Sequence, residues 1–299
     1  MSYHTPTISI ICATFNRPRT LLRLLDQLND QRCVDFRGVD VCIVDDGTEA
    51  PALPKLWGGR GDDNGEYVIH DMGGWKYKFA LEYIWRRRHP QNLAKVYSSR
   101  NIAASRTHGE YVLQLDDDVE FSPYLLNLLQ SIAGVIPQKE WGDIHWVWTP
   151  RISDNKDYDR NGHSVEANWD RGVDGRWYDG RVSWQESHWG SADSSGMFMP
   201  RRTWEAVGGY DEQFDGCMGA GDQELALRVQ MLGEKPRIVK LWIAPYFVNK
   251  ADEEGGSLRM EMINRALRLG RERNEDLFYK KHYPQAWYDN GAKGPWTNV

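Results

Sequence analysis

The sequence predicts an α/β protein with a mixed, mostly parallel sheet that is flanked by helices. Roughly the first 45 residues read as strand, helix and strand, a length typical of a right-handed βαβ unit. The two strands, "SIICAT" and "VDVCIVD", are apolar almost throughout, as expected where helices cover both faces of a sheet. Polar residues follow both strands, at the sheet edge where α/β proteins bind ligands.

Strands and helices alternate along the first half of the chain. Pro18 fits the first turn of a helix in which leucines recur at helical spacing. The segment 51–75 is rich in Gly, Pro and Asp, which predicts a loop with one short strand, "EYVIH". A helix is predicted over 76–88, and another over 93–108 that ends at Gly109 as a left-handed cap. The strand "EYVLQL" follows.

The second half is less regular. "SPYLLNLLQSIAGVI" predicts a helix, and the polar, Trp-rich segment 151–190 predicts a long functional loop. "SSGMFMPRRTWEAVGGYDEQF" predicts a short strand and a helix that stops at Gly208-Gly209, and "GDQELALRVQMLG" predicts a helix closed by Gly233. "PRIVKLWIAPYFVNK" predicts one last strand, and a basic amphipathic helix over 257–281 leads into the tail.

We expect a soluble, cytoplasmic protein. Its 299 residues are 40% hydrophobic and 27% charged, and the formal net charge of -6 argues against general nucleic-acid binding. The four cysteines are scattered without a C-x-x-C pair, which indicates reduced thiols. No signal peptide is evident, and no apolar run approaches the roughly 20 residues that span a bilayer.

Three consecutive carboxylates, Asp116 to Asp118, follow the strand "EYVLQL". Adjacent like charges repel one another, and burying them costs free energy unless a partner neutralises them. Alone, the triplet could be a solvated turn, but two other strand ends, "TFNR" at 14–17 and "DDG" at 45–47, are expected to converge on it. Clustered carboxylates suit a hard cation, Mg²⁺ or Mn²⁺, that also binds phosphate oxygens. The triplet therefore predicts a metal-bound diphosphate.

Four segments resemble successive blocks of the family-2 type GT-A glycosyltransferases: "SIICATFNRP", "VDVCIVDDGTE", "SSRNIAASRTHGEYVLQLDDDVEFSP" and "SSGMFMPRRTWEAVGGYDEQFDGCMGAGDQELALR". They stand in the family's order and span roughly residues 7 to 250. The resemblance implies a GT-A (Rossmann-like) catalytic domain over 1–250, followed by a C-terminal helix and tail over 251–299. Within this domain it implies a nucleotide-binding half, 1–120, and an acceptor half, 121–250.

The resemblance also implies an activity. The chain is expected to be a hexosyl- or pentosyltransferase that takes a sugar from a nucleoside-diphosphate sugar, with a UDP-sugar as the expected donor. The acceptor is the hydroxyl of a carbohydrate or of another molecule. A divalent metal, Mn²⁺ or Mg²⁺, is the expected cofactor.

Eight residues match the family's nucleotide-sugar site. They are Thr14, Asn16, Arg17, Asp45, Asp46, Arg100, Asp116 and Asp117. Which of the two acids, Asp45 or Asp46, binds the nucleotide base is open. Asp46 could instead cap the turn at Gly47. Arg100 offers a planar donor fork for phosphate or ribose oxygens, with a salt bridge on the helix surface as the alternative.

The acid triplet matches the family's D-x-D motif. Asp118 stands five residues before Pro123, the family's spacing between its metal ligand and a proline, so the resemblance assigns Asp118 to the metal. Asp116 is assigned to the ribose or to a metal-bound water and is a further candidate ligand. Asn249 stands where many relatives carry a His ligand and is a weak candidate.

The block "GAGDQEL" matches the family's "G-G-E-D-x-E-L" element, whose Asp is the catalytic base of inverting members. Asp222 is therefore the expected general base, and inversion is the expected outcome, with retention left open. The family often has Glu where this chain has Gly221. Asp222 could also cap the helix that begins here, and Glu224 is the back-up base.

Six residues are assigned to the acceptor and sugar pocket. They are Trp184, His188, Trp189, Ser195, Gly196 and Glu224. Tryptophan offers a flat apolar face to the C–H faces of sugars, although core packing is the alternative for most of the 14 tryptophans.

Three rival functions remain. A sugar-nucleotide pyrophosphorylase would show a glycine-rich loop after the first strand, which "CATFNRP" lacks. A non-catalytic sugar-binding protein would not need the acid triplet together with Asp222. A glycosyltransferase of modified bases in DNA would dock phosphates on basic residues, which occur as "RRRH" at 86–89 and in the C-terminal helix. The helix residues are Arg265, Arg268, Arg271, Arg273, Lys280 and Lys281. Such runs more often form a solvated face, so nucleic acid is not favoured.

Overall fold

The computed structural model describes residues 5–48, 67–71, 76–87, 95–121, 123–135, 145–148, 151–152, 183–187, 189, 196–216, 219–232, 237–242, 246–248 and 273–283. The strands in these segments are β1 (Ile8–Thr14), β2 (Val39–Asp45), β3 (Tyr67–Asp71), β4 (Ala80–Trp85), β5 (Tyr111–Leu115), β6 (Val119–Glu120), β7 (His145–Trp148), β8 (Arg151–Ile152), β9 (Ser183–Ser187), β10 (Gly196–Pro200), β11 (Arg237–Trp242) and β12 (Tyr246–Val248). The helices are α1 (Pro18–Asn29), α2 (Val96–Arg106), α3 (Leu125–Val135), α4 (Arg201–Val207), α5 (Gly221–Met231) and α6 (273–282).

Nine strands form one sheet in the order β3-β4-β2-β1-β5-β10-β7-β11-β9. Strands β4, β2, β1 and β5 run parallel, β10 runs antiparallel to β5 and β7, and β7 is parallel to β11. Because β7 and β11 therefore point the same way as β5, six of the nine strands share one direction, and β3, β9 and β10 oppose them. The predicted mixed, mostly parallel sheet is confirmed. Strands β6, β12 and β8 form a second sheet.

Helices cover both faces of the large sheet, as the alternation along β1 shows. Ile8 and Ile10 pack into one buried cluster with the leucines of α1, whereas Ile11 packs into another with residues of α2 and α5. Successive side chains of a strand point to opposite faces, so two cores form where both faces are covered. Helix α1 begins at Pro18, as predicted.

The helix predicted over 76–88 is wrong, because Ala80–Trp85 forms strand β4 between β2 and β3. Leu81 and Tyr83 lie in the cluster that α1 covers, and Ile84 lies in the other, which is the two-residue period of a strand buried on both faces. Apolar residues at nearly every position had matched a helical pattern as well, so periodicity alone could not separate the two structures.

Gly109 does not cap α2, contrary to the prediction. The helix ends at Arg106, and Thr107 continues in an extended conformation with φ -111° and ψ 158°. A β-carbon on Gly109 would lie 2.6 Å from the backbone nitrogen of Ser9, so glycine is required by this close approach to β1. Helix α4, by contrast, stops at Gly208 as predicted, and the structure shows this glycine in the left-handed conformation with φ 75°.

The second half holds more strands than the sequence predicts. The single strand expected over 236–250 is in fact two, β11 and β12, which belong to different sheets. Strands β7 and β9 are not predicted from the sequence, and β9 lies inside the segment 151–190, which was predicted to be a loop. The rest of that segment, apart from the single residue 189 and the pair 151–152, lies outside the described residues, as do Gly233 and residues 257–272 of the expected C-terminal helix. Within the described part of the chain, no helix is long and apolar enough to cross a membrane.

Candidate functional site

The carboxyl ends of β1, β2 and β5 lie side by side, so the polar clusters that follow them meet at one edge of the sheet. Thr14 pairs with Asp45 across β1 and β2. Ile11 pairs with Gln114 across β1 and β5, which brings Thr14 level with Asp117. The hydroxyl of Thr14 donates to Oδ2 of Asp117 over 2.7 Å. The sheet register therefore produces the convergence expected from the sequence.

Arg17 neutralises two members of the acid triplet. Its Nη1 lies 2.7 Å from Oδ1 of Asp117 and 2.6 Å from Oδ2 of Asp118. Burial raises the pKa of Asp117 above its usual value, and Arg17 limits this rise by favouring the ionised carboxyl. Burial in turn lowers the pKa of Arg17, but the two carboxylates outweigh it and hold that pKa above its usual value. A cation from the chain itself makes these adjacent acids tolerable.

Arg100 neutralises the third member and links it to a distant acid. Its Nη2 lies 2.7 Å from Oδ1 of Asp116, and its Nη1 lies 3.3 Å from Oδ1 of Asp222. The guanidinium carbon stands 5.4 Å from the ring centre of Tyr210 and 5.9 Å from that of Tyr97. Burial lowers the pKa of Arg100, but Tyr210 and the two carboxylates outweigh it and raise that pKa above its usual value. Arg100 is 4% exposed, so the alternative of a salt bridge on the helix surface is wrong.

Asp222 is the second residue of α5, and Ala220 occupies the N-cap position. The alternative in which Asp222 caps this helix is therefore wrong. Steric crowding requires glycine at position 221, because a β-carbon on Gly221 would lie 2.3 Å from the ring of Tyr97. A glutamate at this position, as in the family's element, would displace the ring that covers Arg100. Local packing thus explains the departure from the family pattern.

The end of β2 is held by side-chain hydrogen bonds. Oδ1 of Asp45 accepts from the amide of Thr48 over 2.8 Å, and Oδ2 accepts from the hydroxyl of Tyr83. Asp45, and not Asp46, therefore stabilises the turn that follows β2. Burial raises the pKa of Asp45, and these hydrogen bonds moderate the rise. Oδ2 of Asp46 accepts from the amide of Lys95, just before α2, over 2.8 Å.

Asn16 joins the end of β1 to the turn after β2. Its amide donates to Oγ1 of Thr48 over 2.7 Å, and its φ of 53° lies in the left-handed region, which asparagine tolerates. The indole of Trp85 donates to the carbonyl oxygen of Thr48 over 2.8 Å. These contacts place Thr14, Asn16 and Arg17 on one wall of the site.

The structure does not bring Glu224 to this cluster. Its side chain is fully buried, and its carboxylate lies 2.6 Å from Nη2 of Arg228, 2.6 Å from Nζ of Lys281 and 3.1 Å from Nε2 of His282. Burial raises the pKa of Glu224, but the hydrogen bonds from Arg228 and Lys281 outweigh it and lower that pKa below its usual value. Glu224 therefore ties α6 to α5.

The structure describes only some of the other residues assigned to the acceptor pocket. Gly196 pairs with Leu115 at the start of β10 and so borders the acid triplet. The ring of Trp189 packs 5.2 Å from that of Phe278 on α6. Trp184 lies in β9, opposite Leu241, and its side chain is outside the described residues, as are His188, Ser195 and the metal candidate Asn249.

Basic residues considered for nucleic-acid binding make contacts within the chain. Arg86 donates to the hydroxyl of Ser99 over 3.1 Å. Arg273 donates to the carbonyl oxygen of Asp215 over 3.1 Å, and Lys281 reaches both Glu224 and Asp211. The residues 88–89 and the arginines at 265, 268 and 271 lie outside the described residues.

Sequence reasoning missed the residues that support the charged groups. These are Thr48, Tyr83, Trp85, Tyr97, Gln114 and Tyr210. One signal was available, since Gln114 is a polar residue inside the apolar strand "YVLQL" and is only 1% exposed. A buried polar side chain needs a partner, which here is the hydroxyl of Tyr210.

A divalent cation is expected from the resemblance, so the available donors matter. Among the described residues, no group of three or more His, Cys, Asp or Glu side chains is arranged to hold a metal ion. Mg²⁺, and by its similar preference Mn²⁺, needs just one or two protein carboxylates when a substrate diphosphate supplies further oxygens. The side chains of Asp118 and Asp116 are 15% and 26% exposed, so both reach the solvent edge of the site. Their donor chemistry fits such a cation.

Several solved structures have a similar fold. S. aureus TarS 1-349 in complex with UDP-GlcNAc superposes with a TM-score of 0.55 at 16% identity, over 94% of this chain and 73% of that one. The mannosyltransferase PcManGT from Pyrobaculum calidifontis, in complex with GDP-Man and Mn²⁺, gives a TM-score of 0.51 at 13% identity, over 97% of this chain and 66% of that one. A longer S. aureus TarS structure gives 0.54 at 15% identity over 94% of this chain, which spans 43% of that one.

These likenesses confirm the GT-A fold that the sequence predicts. No protein-family model and no curated protein matches the chain.

Proposed function

We propose that this chain is a glycosyltransferase that moves a sugar from a nucleoside-diphosphate sugar to an acceptor hydroxyl. One observation carries the proposal: Arg100 bridges Asp116, in the acid triplet, to Asp222, at the start of α5. The proposed binding site of the anionic leaving group and the candidate general base, Asp222, therefore contact the same buried cation, Arg100. Structures of the same fold hold UDP-GlcNAc and GDP-Man, which supports a nucleotide-sugar donor.

The two arginines of the site supply positive charge for the departing diphosphate. Arg17 is 9% exposed and Arg100 is 4% exposed, and charges are screened less there than in bulk water. When the bond between sugar and diphosphate breaks, its electron pair stays on the phosphate oxygen, so negative charge grows on the leaving group. Fixed cations near that charge lower the barrier.

Asp222 is proposed to take the acceptor proton. The acceptor oxygen bonds to the anomeric carbon on the face opposite the diphosphate, its O–H bond breaks, and the proton passes to the carboxylate of Asp222. A single displacement of this kind inverts the configuration. Arg100, 3.3 Å from Asp222, favours the ionised carboxyl that this step requires.

The nucleoside is proposed to lie on the turns after β1 and β2. Both oxygens of Asp45 already accept hydrogen bonds, from Thr48 and Tyr83, so Asp46 is the better candidate for binding the nucleotide base. Thr14 and Asn16 complete this wall. The donor class is proposed to be a UDP-sugar, and the acceptor is proposed to be a carbohydrate that enters beside Gly196, where β10 borders the acid triplet.

Asp118 is proposed as the metal ligand, with Asp116 as a second ligand or as the partner of a metal-bound water. When bound, Mn²⁺ or Mg²⁺ supplies Lewis-acid stabilisation of the diphosphate oxygens. Arg17 is the residue that has to share Asp118 with such a cation, because its Nη1 lies 2.6 Å from Oδ2 of Asp118.

The test begins with nucleotide binding. UDP and GDP are added to the full chain with and without Mn²⁺, and the thermal midpoint is recorded. UDP-glucose, UDP-GlcNAc and GDP-mannose are then supplied with a panel of mono- and oligosaccharides, and nucleoside diphosphate release is measured. We expect a metal-assisted thermal shift with one nucleotide and sugar-dependent release from a matching donor. If no nucleotide shifts the midpoint and no donor is consumed, the proposal is refuted.

The same assays separate the rival functions. A pyrophosphorylase would form a nucleoside triphosphate when pyrophosphate is added. A transferase that modifies DNA would consume donor when duplex DNA is present, and its DNA binding would weaken steeply as salt rises. A non-catalytic binding protein would show a thermal shift with sugars and consume no donor.

A further inference from the structure

We infer that Tyr210, supported by Gln114, is a positioning residue for Asp222. The inference deepens the proposed function and rests on it, since it concerns the residue proposed to take the acceptor proton. It is carried by a chain of contacts in which the hydroxyl of Tyr210 stands between the side chains of Gln114 and Asp222.

The hydroxyl of Tyr210 has two acceptors within reach. Its oxygen lies 2.6 Å from Oε1 of Gln114 and 3.1 Å from Oδ1 of Asp222. A phenol carries one proton, so it can donate fully to one of the two at a time. Burial raises the pKa of Tyr210 well above its usual value, and the charge of Asp222 raises it further, so the hydroxyl keeps its proton.

Tyr210 is held firmly enough to position a neighbour. Its amide donates to Oδ1 of Asn101 over 2.8 Å, and its carbonyl oxygen accepts from Nδ2 of Asn101 over 2.9 Å. Its ring lies 5.1 Å from that of Tyr97 and 5.6 Å from that of Trp204. Gly209, with φ 67°, lets the chain approach Asn101, because a β-carbon there would lie 2.5 Å from Oδ1 of Asn101. The phenol therefore has a fixed location.

The partner of the phenol proton depends on the charge of Asp222. An ionised carboxylate is a stronger acceptor than an amide oxygen, so Asp222 attracts the proton before transfer and is held in place by it. Once Asp222 has taken the acceptor proton, its negative charge is gone, and the phenol turns back to Oε1 of Gln114. Tyr210 neither gains nor loses a proton in the cycle.

Other groups also face Asp222 and contribute to its titration. Helix α2 presents Arg100 and Tyr97, and Asp116 lies beyond Arg100. None of these groups is changed when the hydroxyl of Tyr210 or the acceptor oxygen of Gln114 is removed. The two substitutions consequently isolate the contribution of the phenol proton.

The test uses ¹³C-labelled aspartate in the full chain, with Asp222→Asn to assign the Asp222 carboxyl resonance. In Tyr210→Phe the ionised carboxyl loses a donor, so the titration midpoint of this resonance should move up by about one pH unit. In Gln114→Met the phenol has lost its competing acceptor and donates to Asp222, so the midpoint should move down. Tyr111→Phe is the control, because Tyr111 lies in the other buried cluster with its ring stacked on that of Phe198, and the midpoint should stay.

Midpoint shifts of opposite sign in Tyr210→Phe and Gln114→Met support the inference, because a purely structural role for Tyr210 does not produce them. Shifts of the same sign, or none in either variant, overturn it. If Tyr210→Phe does not fold, as judged by circular dichroism, the sign in Gln114→Met decides alone.

Turnover gives a second readout where a donor has been found. For Tyr210→Phe we expect kcat to fall about tenfold with KM for the donor unchanged, and the acid limb of the pH–rate profile to move to higher pH. An unchanged kcat and profile would count against the inference. If the wild-type chain consumes no donor, the proposed function fails, and the carboxyl titration still decides the contact between Tyr210 and Asp222.

Discussion

Arg100 and Asp222 are 122 positions apart in the chain, yet Nη1 of Arg100 lies 3.3 Å from Oδ1 of Asp222. Helices α2 and α5, which carry them, contribute to the same buried cluster on one face of the large sheet. Because Arg100 also holds Asp116, one guanidinium connects the predicted nucleotide-binding half to the predicted acceptor half. Stability and the proposed chemistry therefore depend on the same side chain.

Arg100→Met should destabilise the protein by about 3–5 kcal/mol, because it leaves Asp116 and Asp222 without their shared cation. Urea unfolding measures this. Arg37→Met is the matched control, since the side chains of Arg37 and Asp35 are 91% and 33% exposed in their pair, and loss of an exposed pair costs at most about 1 kcal/mol. Equal losses in the two variants would contradict the central role of Arg100.

Asp222→Asn should keep the thermal shift given by UDP or GDP and lower donor turnover by about 10²–10⁴-fold, because an amide cannot take the acceptor proton. Turnover and thermal shift are measured on the same preparation. Asp26→Asn, which changes an exposed acid on α1, should retain both properties. Native turnover in Asp222→Asn would exclude Asp222 as the base.

Asp118→Asn should remove the part of nucleotide binding that depends on metal. For the wild-type chain, Mn²⁺ is expected to increase the thermal shift given by UDP, and excess EDTA to cancel the increase. The variant should show the same small shift with and without Mn²⁺, because an amide is a poorer ligand for a hard cation. Asp30→Asn changes an exposed acid at the end of α1 and serves as control. A full Mn²⁺ response in Asp118→Asn would rule out the assigned ligand.

Gly109→Ala should destabilise the protein by about 1–3 kcal/mol, since its β-carbon would meet the backbone of β1 at 2.6 Å. Gly134→Ala provides the opposite case. It lies in α3, its β-carbon would approach Pro6 no closer than 3.5 Å, and alanine favours helix over glycine by up to about 1 kcal/mol. Thermal unfolding should thus move in opposite directions, and a loss of similar size at both positions would contradict the close approach.

Glu224 should make the stability of the protein sensitive to acid. Its folded-state pKa is lowered, because the hydrogen bonds from Arg228 and Lys281 outweigh the effect of burial. The stability that it contributes is therefore present above its unfolded pKa of about 4.3 and is lost as the pH falls through the lower folded value. Urea unfolding between about pH 3 and pH 7 should show this loss in the wild-type chain.

Glu224→Gln should be less stable near neutral pH and should lack this part of the acid dependence. Glu205→Gln, which changes an exposed acid on α4, should follow the wild-type curve. If the stability of Glu224→Gln depended on acid as strongly as that of the wild-type chain, Glu224 would not be the source of this acid sensitivity.

Local patterns located the central part of the fold. Strands β1, β2 and β5 are apolar runs followed by polar residues, and Pro18 and Gly208 mark the start of α1 and the end of α4. The strand β4 was mistaken for a helix, because it is buried on both faces and lacks alternation. Strands β7 and β9 are short and pair with partners distant in sequence, which leaves little local signal.

By itself the sequence determined that polar residues of three strands meet at one edge of a parallel sheet, because strand direction and connection length follow from local pattern. Only the tertiary structure decided how these charges are paired: Arg17 with Asp117 and Asp118, and Arg100 with Asp116 and Asp222. Such pairings depend on sheet register and on the packing of helices. These place Arg17 2.7 Å from Asp117, 100 positions away, and Arg100 3.3 Å from Asp222, 122 positions away.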